Sequence, residues 1–196
     1  MISDYDFQRA AIDLDLQPAH IKAFAEVEST GDGFLSPGKP KILFERHIFY
    51  KQLTQNMGEL FTAQAAKAYP DLCSPKPYGP GGYGKYSEQY AKLEKASEID
   101  KNSAMEACSW GAFQIMGYHW KKMGLGSVQE FVNSVSYSET AQLSLLVRFL
   151  KINPGIILAL MERDWAQVAK LYNGPNYKQN NYDTKLRDAY KKFGGK

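Results

Sequence analysis

Cysteine is scarce: Cys73 and Cys108 are the only two in 196 residues. A pair so far apart in a chain of this size is not the dense framework of a disulfide scaffold, so both are expected as buried, reduced thiols, although the spacing also permits a single bridge. Histidine is equally sparse. His20, His47 and His119 show no paired ligand spacing and lie far from the cysteines, so no metal and no other cofactor is expected. Long apolar runs are missing as well. The longest late one, Gly155 to Met161, is far too short to cross a bilayer, and stable membrane insertion is not expected. The start, Met1-Ile2-Ser3-Asp4-Tyr5-Asp6, has neither a basic head nor an apolar stretch, so no signal peptide is expected. Charge of one sign is not in excess: 24 Lys and Arg against 21 Asp and Glu leave +3, with a pI near 8.7. That balance is too mild to predict a nucleic-acid partner. The chain also lacks a nucleophile elbow, a phosphate loop, a dinucleotide fingerprint, internal repeats and low-complexity tracts.

What is present fits one domain over 1–196, with a hydrophobic fraction of 44% and a charged fraction of 23%. No separate binding unit is expected beside it, and the chain is expected to act as a monomer. Aromatics are plentiful, with 13 Tyr, 10 Phe and 3 Trp. Most of the Phe should fill the core, whereas exposed rings can stack on sugars. The basic charge is uneven. From Arg163 to Lys196 there are eight Lys or Arg against three Asp. This reads first as a solvated helix face and second as an attraction for an anionic polymer.

Periodicity predicts a mainly helical α+β fold. Ser3 or Asp4 caps a helix over Tyr5 to Leu14, and Pro18 starts a second. Lys41 to Glu45 reads as a short strand in the only sheet expected. Helical patterns follow over Ile48 to Ala68, broken near Asn56 to Gly58, then over Glu88 to Glu98 and Lys101 to Ala107. Trp110 to Gly117 reads as a buried segment. Further helices are predicted over Val128 to Asn133, Glu139 to Leu150, Ile156 to Leu160, Trp165 to Leu171 and Tyr182 to Phe193. Between them, Ser74 to Gly84 is a loop rich in Pro, Gly and Tyr, either a rim for a saccharide cleft or an irregular surface excursion.

The stretch from Ala23 to Phe34 carries the sharpest chemical signal. Ile21, Phe24 and Ala25 form a helical apolar stripe, and Glu28, seven after Ile21, falls on the same face. Glu28 therefore points inward. Glu26 is rotated away by roughly 200° and shares the polar side with Lys22. A carboxyl on an apolar face at a helix end is desolvated, which raises its pKa and suits it to donate a proton. Gly31 and Gly33 allow a sharp exit from the helix. The alternative is a boundary residue held by a local hydrogen bond.

Three segments in order strengthen the chemical reading: Glu28-Ser29, then Ser109-Trp110-Gly111-Ala112-Phe113-Gln114-Ile115-Met116-Gly117, then Leu171-Tyr172-Asn173-Gly174-Pro175. The order resembles the three motifs of the lysozyme-like superfamily that includes lytic transglycosylases and goose-type lysozymes. With Lys39 to Phe49 added, the chain is similar to the N-acetylmuramidase domain of modular phage endolysins, from about Ala19 to Phe193. The resemblance implies a lysozyme-like fold with a small β element beside the cleft, and a peptidoglycan substrate. It also implies hydrolysis of the β-1,4 bond between N-acetylmuramic acid and N-acetylglucosamine. Made without a signal peptide, such a protein would reach the wall after release from the host cytoplasm. Ser29, Gly111, Gln114, Tyr172 and Asn173 would bind substrate, with Tyr172 near the acid.

Glycosidic cleavage needs a proton for the leaving oxygen and a second group to support the oxocarbenium-like centre or a water. Glu28 is the candidate acid. Glu45, 17 positions on, is preferred over Asp32 as the second carboxylate, with an ion pair to Arg46 or a hydrogen-bonded strand end as the competing explanation. Gly111 leaves room for a sugar ring, and Gln114 offers a donor and an acceptor to an acetamido group or to Glu28. The residues themselves do not separate hydrolysis from transglycosylation to 1,6-anhydro products. A non-catalytic wall-binding or virion component and a Cys108–His119 hydrolase are the other readings.

Overall fold

The computed structural model describes residues 2–29, 33–79, 82–175 and 177–195. The chain divides into two compact units, Met1–Gly33 with Ser138–Lys196, and Phe34–Tyr137. The first opens with α1 (Asp4–Leu14) and α2 (Pro18–Glu28). The second holds β1 (Phe34–Ser36), β2 (Lys39–Pro40), β3 (Ile42–Phe44), α3 (Arg46–Met57), α4 (Glu59–Ala68), α5 (Gln89–Ile99), α6 (Lys101–Glu106), β4 (Cys108–Trp110), β5 (Ile115–Met116) and α7 (Val128–Tyr137). The first unit resumes with α8 (Glu139–Lys151), α9 (Pro154–Met161), α10 (Trp165–Asn173) and α11 (Tyr182–Lys192). The architecture is α+β and mainly helical, as the periodicity predicts.

In the first unit, local chemistry fixes the helix starts. Ser3 and Asp6 form a reciprocal capping box on α1, the Asp6 N–H donating to the Ser3 hydroxyl at 3.2 Å and the Ser3 N–H to the Asp6 carboxylate at 2.9 Å. Pro18 occupies the first turn of α2, where a missing N–H costs nothing. Helix α2 packs on α11 through Ala19, Ala23, Ala189 and Tyr190, flanked by Val27, Trp165 and Phe193. Small residues on α2 let the two backbones approach. Phe24 and Ile21 are fully buried, each stabilising the unit by about 2 kcal/mol. Among the described residues no single helix is long and apolar enough to cross a membrane; α8 and α9 meet at 95° and bury Leu146, Leu150 and Leu160 in the core.

Among the described residues the second unit holds two small sheets where one was expected. The pair β1–β2 is a hairpin turning through Pro37 and Gly38, the latter at φ +72°. The strands β3, β4 and β5 form an antiparallel sheet, with Ile42 opposite Trp110, Phe44 opposite Cys108, and Trp110 opposite Ile115. The segment read as merely buried, Trp110 to Gly117, is thus a strand, a tight turn and a second strand. Strands of two and three residues are too short for their alternation to register. Helix α5 packs on β3 and α6 on β4, while Phe49 of α3 meets Phe44 at 5.6 Å between ring centroids, and Leu53, Ala96 and Ala104 are buried on the same three helices. Gly58, at φ +90°, separates α3 from α4, the break expected near Asn56 to Gly58. Cys73 and Cys108 are both buried and unbridged, as expected of reduced thiols.

Candidate active site

Glu28 is the last residue of α2 and only 7% exposed. The turn of helix below it is apolar, with Phe24 and Ala25 buried on the same side. Burial pushes its carboxyl up to about 7 from an ordinary 4.5, partly opposed by a hydrogen bond from Asn173 and by the charge of Lys185. The Asn173 side-chain amide donates to Oε1 at 2.9 Å. That contact leaves Oε2 as the oxygen to carry the proton. Glu26 has the opposite fate expected of it, with its carboxylate in an exposed ion pair to Lys192 at 2.7 Å.

Asn173 closes α10, and Gly174 at φ +82° turns the chain immediately after it, its N–H returning to the Lys170 carbonyl at 3.0 Å. Tyr172 packs edge-on against Phe24 at 4.8 Å and against Phe149 at 5.7 Å. Its hydroxyl is pushed far up by burial and by the Glu28 charge, so it stays protonated. Tyr182 is shifted the same way by the same two causes. Ser29 sits half-buried in extended backbone, its N–H donating to the Ala25 carbonyl at 3.0 Å. The first unit therefore gathers Glu28, Tyr172 and Asn173, three residues drawn from two of the predicted motifs. Lys185 joins them from α11, a contribution that no spacing in the sequence announced. Asp32, the alternative second acid, lies outside the described residues.

In the second unit, Glu45 is not the strand end that the pattern suggested. It is the extended residue between β3 and α3, at φ −113° and ψ 100°. Its Oε2 accepts a hydrogen bond from the Tyr83 hydroxyl at 3.1 Å and lies 3.6 Å from His47 Nε2. Arg46, the expected ion-pair partner, directs its guanidinium at the carbonyls of Lys76, at 2.9 Å, and Tyr78. It thereby gathers the Pro- and Tyr-rich loop. A groove of about 1050 Å³ runs beside that loop, lined by Tyr69, Asp71, Tyr83, Glu88, Lys92 and Lys95.

Gly111 and Gln114 belong to the β4–β5 turn. Both lie at positive φ, +71° and +47°, which glycine adopts freely and glutamine does not. The Gln114 side chain supports that conformation, donating to the Gly111 carbonyl at 2.8 Å and accepting from the Ser109 hydroxyl at 2.8 Å. One N–H and one lone pair of its amide are thus engaged within the turn, and the second of each is left over. Burial raises the Cys108 thiol well above its usual range and lowers His119 to about 4, so the pair would sit as thiol and neutral imidazole. Among the described residues no three His, Cys, Asp or Glu side chains converge to hold a metal.

A family model described as N-acetylmuramidase matches residues 17–194. The crystal structure of the Burkholderia AP3 phage endolysin resembles this one with a TM-score of 0.89 at 45% identity, over 98% of this chain and 71% of that one. No curated protein sequence matches. The mainly helical α+β architecture with small antiparallel sheets is shared with that lysozyme-like endolysin.

Proposed function

The chain belongs to the N-acetylmuramidase family, and from that premise we propose that it hydrolyses the β-1,4 bond between N-acetylmuramic acid and N-acetylglucosamine in peptidoglycan, with Glu28 as general acid. The observation that carries the assignment is the carboxyl of Glu28, 7% exposed and held at about 7, so that near neutrality a large fraction is protonated. Oε2 delivers the proton to the departing sugar oxygen while Asn173 holds Oε1. As the bond breaks, the resulting carboxylate is received by a donor already in place. Glu45 takes the second role, supporting the oxocarbenium-like centre or drawing a proton from water. Ser29, Gly111, Gln114, Tyr172 and Asn173 contact the saccharide in this reading. The protein works at the cell wall as a peptidoglycan hydrolase.

The test is digestion of purified peptidoglycan by the wild type and by Glu28→Gln, with fragments read by mass spectrometry. Reducing N-acetylmuramic acid ends, falling at least a thousandfold in the variant while its circular dichroism is unchanged, are the expected result, since proton transfer and charge development both depend on this group. Anhydro ends would move the enzyme to the lytic transglycosylases. No fragments from either protein would leave a wall-binding or virion role.

A further inference from the structure

We propose that Tyr83 is a positioning residue for Glu45, its hydroxyl holding one carboxylate oxygen while the buried amide of Gln89 keeps the two in register. This deepens the reading of Glu45 as the second carboxylate and rests on it.

Glu45 needs such a restraint. It lies between a strand and a helix, its side chain 18% exposed, and a glutamate free to rotate loses considerable entropy on being ordered. The groups that face the carboxylate are the Tyr83 hydroxyl at 3.1 Å and His47 Nε2 at 3.6 Å, both on Oε2, with Cys108 and Tyr118 near enough to feel its charge. Oε1 is thereby left for a water or for the sugar. Burial and the Glu45 charge hold the Tyr83 hydroxyl at about 12, so it remains a donor wherever Glu45 is an acceptor.

What fixes Tyr83 is a side chain 1% exposed, Gln89 at the start of α5. Its Oε1 accepts the N–H of Phe44 at 2.9 Å, the residue immediately before Glu45. Its Nε2 donates to the Tyr83 carbonyl at 2.6 Å and to the Lys85 carbonyl at 3.0 Å. One amide therefore ties the backbone beside the carboxylate to the backbone beside the tyrosine. Lys92 adds a second hold on the Tyr83 carbonyl at 3.1 Å. All the polar groups of Gln89 are consumed in this one alignment, which an apolar residue of similar volume could not supply.

The experiment compares kcat and KM on soluble glycan strands for the wild type, Tyr83→Phe, Glu45→Gln and, as a neighbouring control, Tyr86→Phe, a residue 58% exposed. Tyr83→Phe should lower kcat on the order of ten- to a hundredfold, the cost of a loosely held group, with KM and melting temperature unchanged. Tyr86→Phe should match the wild type. If Glu45→Gln is inactive while Tyr83→Phe keeps the wild-type kcat, the positioning role is overturned and Glu45 stands. Full activity in Glu45→Gln overturns the reading of Glu45 itself. A rise in KM alone, or a loss that tracks a lowered melting temperature, also overturns the positioning role.

Discussion

At the scale of single residues, the same burial that raises the Glu28 pKa weakens the fold that holds it. The folded carboxyl keeps its proton to about pH 7, whereas in the unfolded chain it loses it near 4.5. Between those values the folded state binds more protons, so stability is highest below 4.5, declines as pH rises towards 7, and is level above that. The gap converts to roughly 3 kcal/mol. Glu28→Gln removes the ionisation without removing an acceptor for Asn173. Its melting temperature should exceed the wild type's at pH 8 and converge with it at pH 4; equal curves at both would show that burial exacts no such cost. Asn173 acts in the other direction, stabilising the ionised form through its 2.9 Å bond. Asn173→Ala should therefore raise the Glu28 pKa and shift the alkaline limb of the pH–rate profile upward by about one unit, from the strength of a hydrogen bond to a charged group. An unmoved limb would separate Asn173 from the acid.

At the scale of elements, close backbone approach decides what the second unit tolerates. A Cβ placed on Gly117, just after β5, would lie 2.2 Å from the Met105 carbonyl oxygen and 3.0 Å from the Glu106 Cα of α6. Backbone cannot swing aside as a side chain does. Gly117→Ala should destabilise by about 1–3 kcal/mol, the usual range for forced overpacking, seen as a lowered urea midpoint with unchanged slope. The glycine is part of the motif by which the segment was recognised, and its role here is packing of the turn on α6. Helices were legible because their apolar spacing is written locally, as in α2, α8 and α10. The sheet β3–β4–β5 was half hidden, since two strands flank a turn whose Gln114 adopts φ +47° only with support from Ser109 and Gly111. Glu45, expected at the end of the strand, is the residue immediately after it. Tyr83 and Gln89 lie 38 and 44 positions beyond it, and no periodicity connects residues so separated.

For the molecule as a whole, the first unit is assembled from both ends of the chain, and the helix that presents Glu28 is completed by the last one. Helix α11 covers Ala19 and Ala23 with Ala189 and Tyr190, and the Tyr190 hydroxyl donates to the Gln17 side chain at 2.9 Å at the entry to α2. Leu186 is fully buried in the same helix. Burying Leu186, Ala189 and Tyr190 contributes on the order of 5 kcal/mol, comparable with the entire net stability of many domains. The exposed charges of α11 count for far less; the Lys192–Glu26 pair is a surface contact between two well-solvated side chains. A chain ended at Asn181 should therefore lose the cooperative melting of the first unit and its lytic activity together. Lys191→Gln with Lys192→Gln should melt within about 0.5 kcal/mol of the wild type. Hydrogen exchange would locate the damage, with α2 amides losing protection in the truncated chain although no residue of α2 has changed. If that chain still cleaves peptidoglycan at the wild-type rate, α2 holds Glu28 in place without its cover, and the acid depends on local helix structure alone.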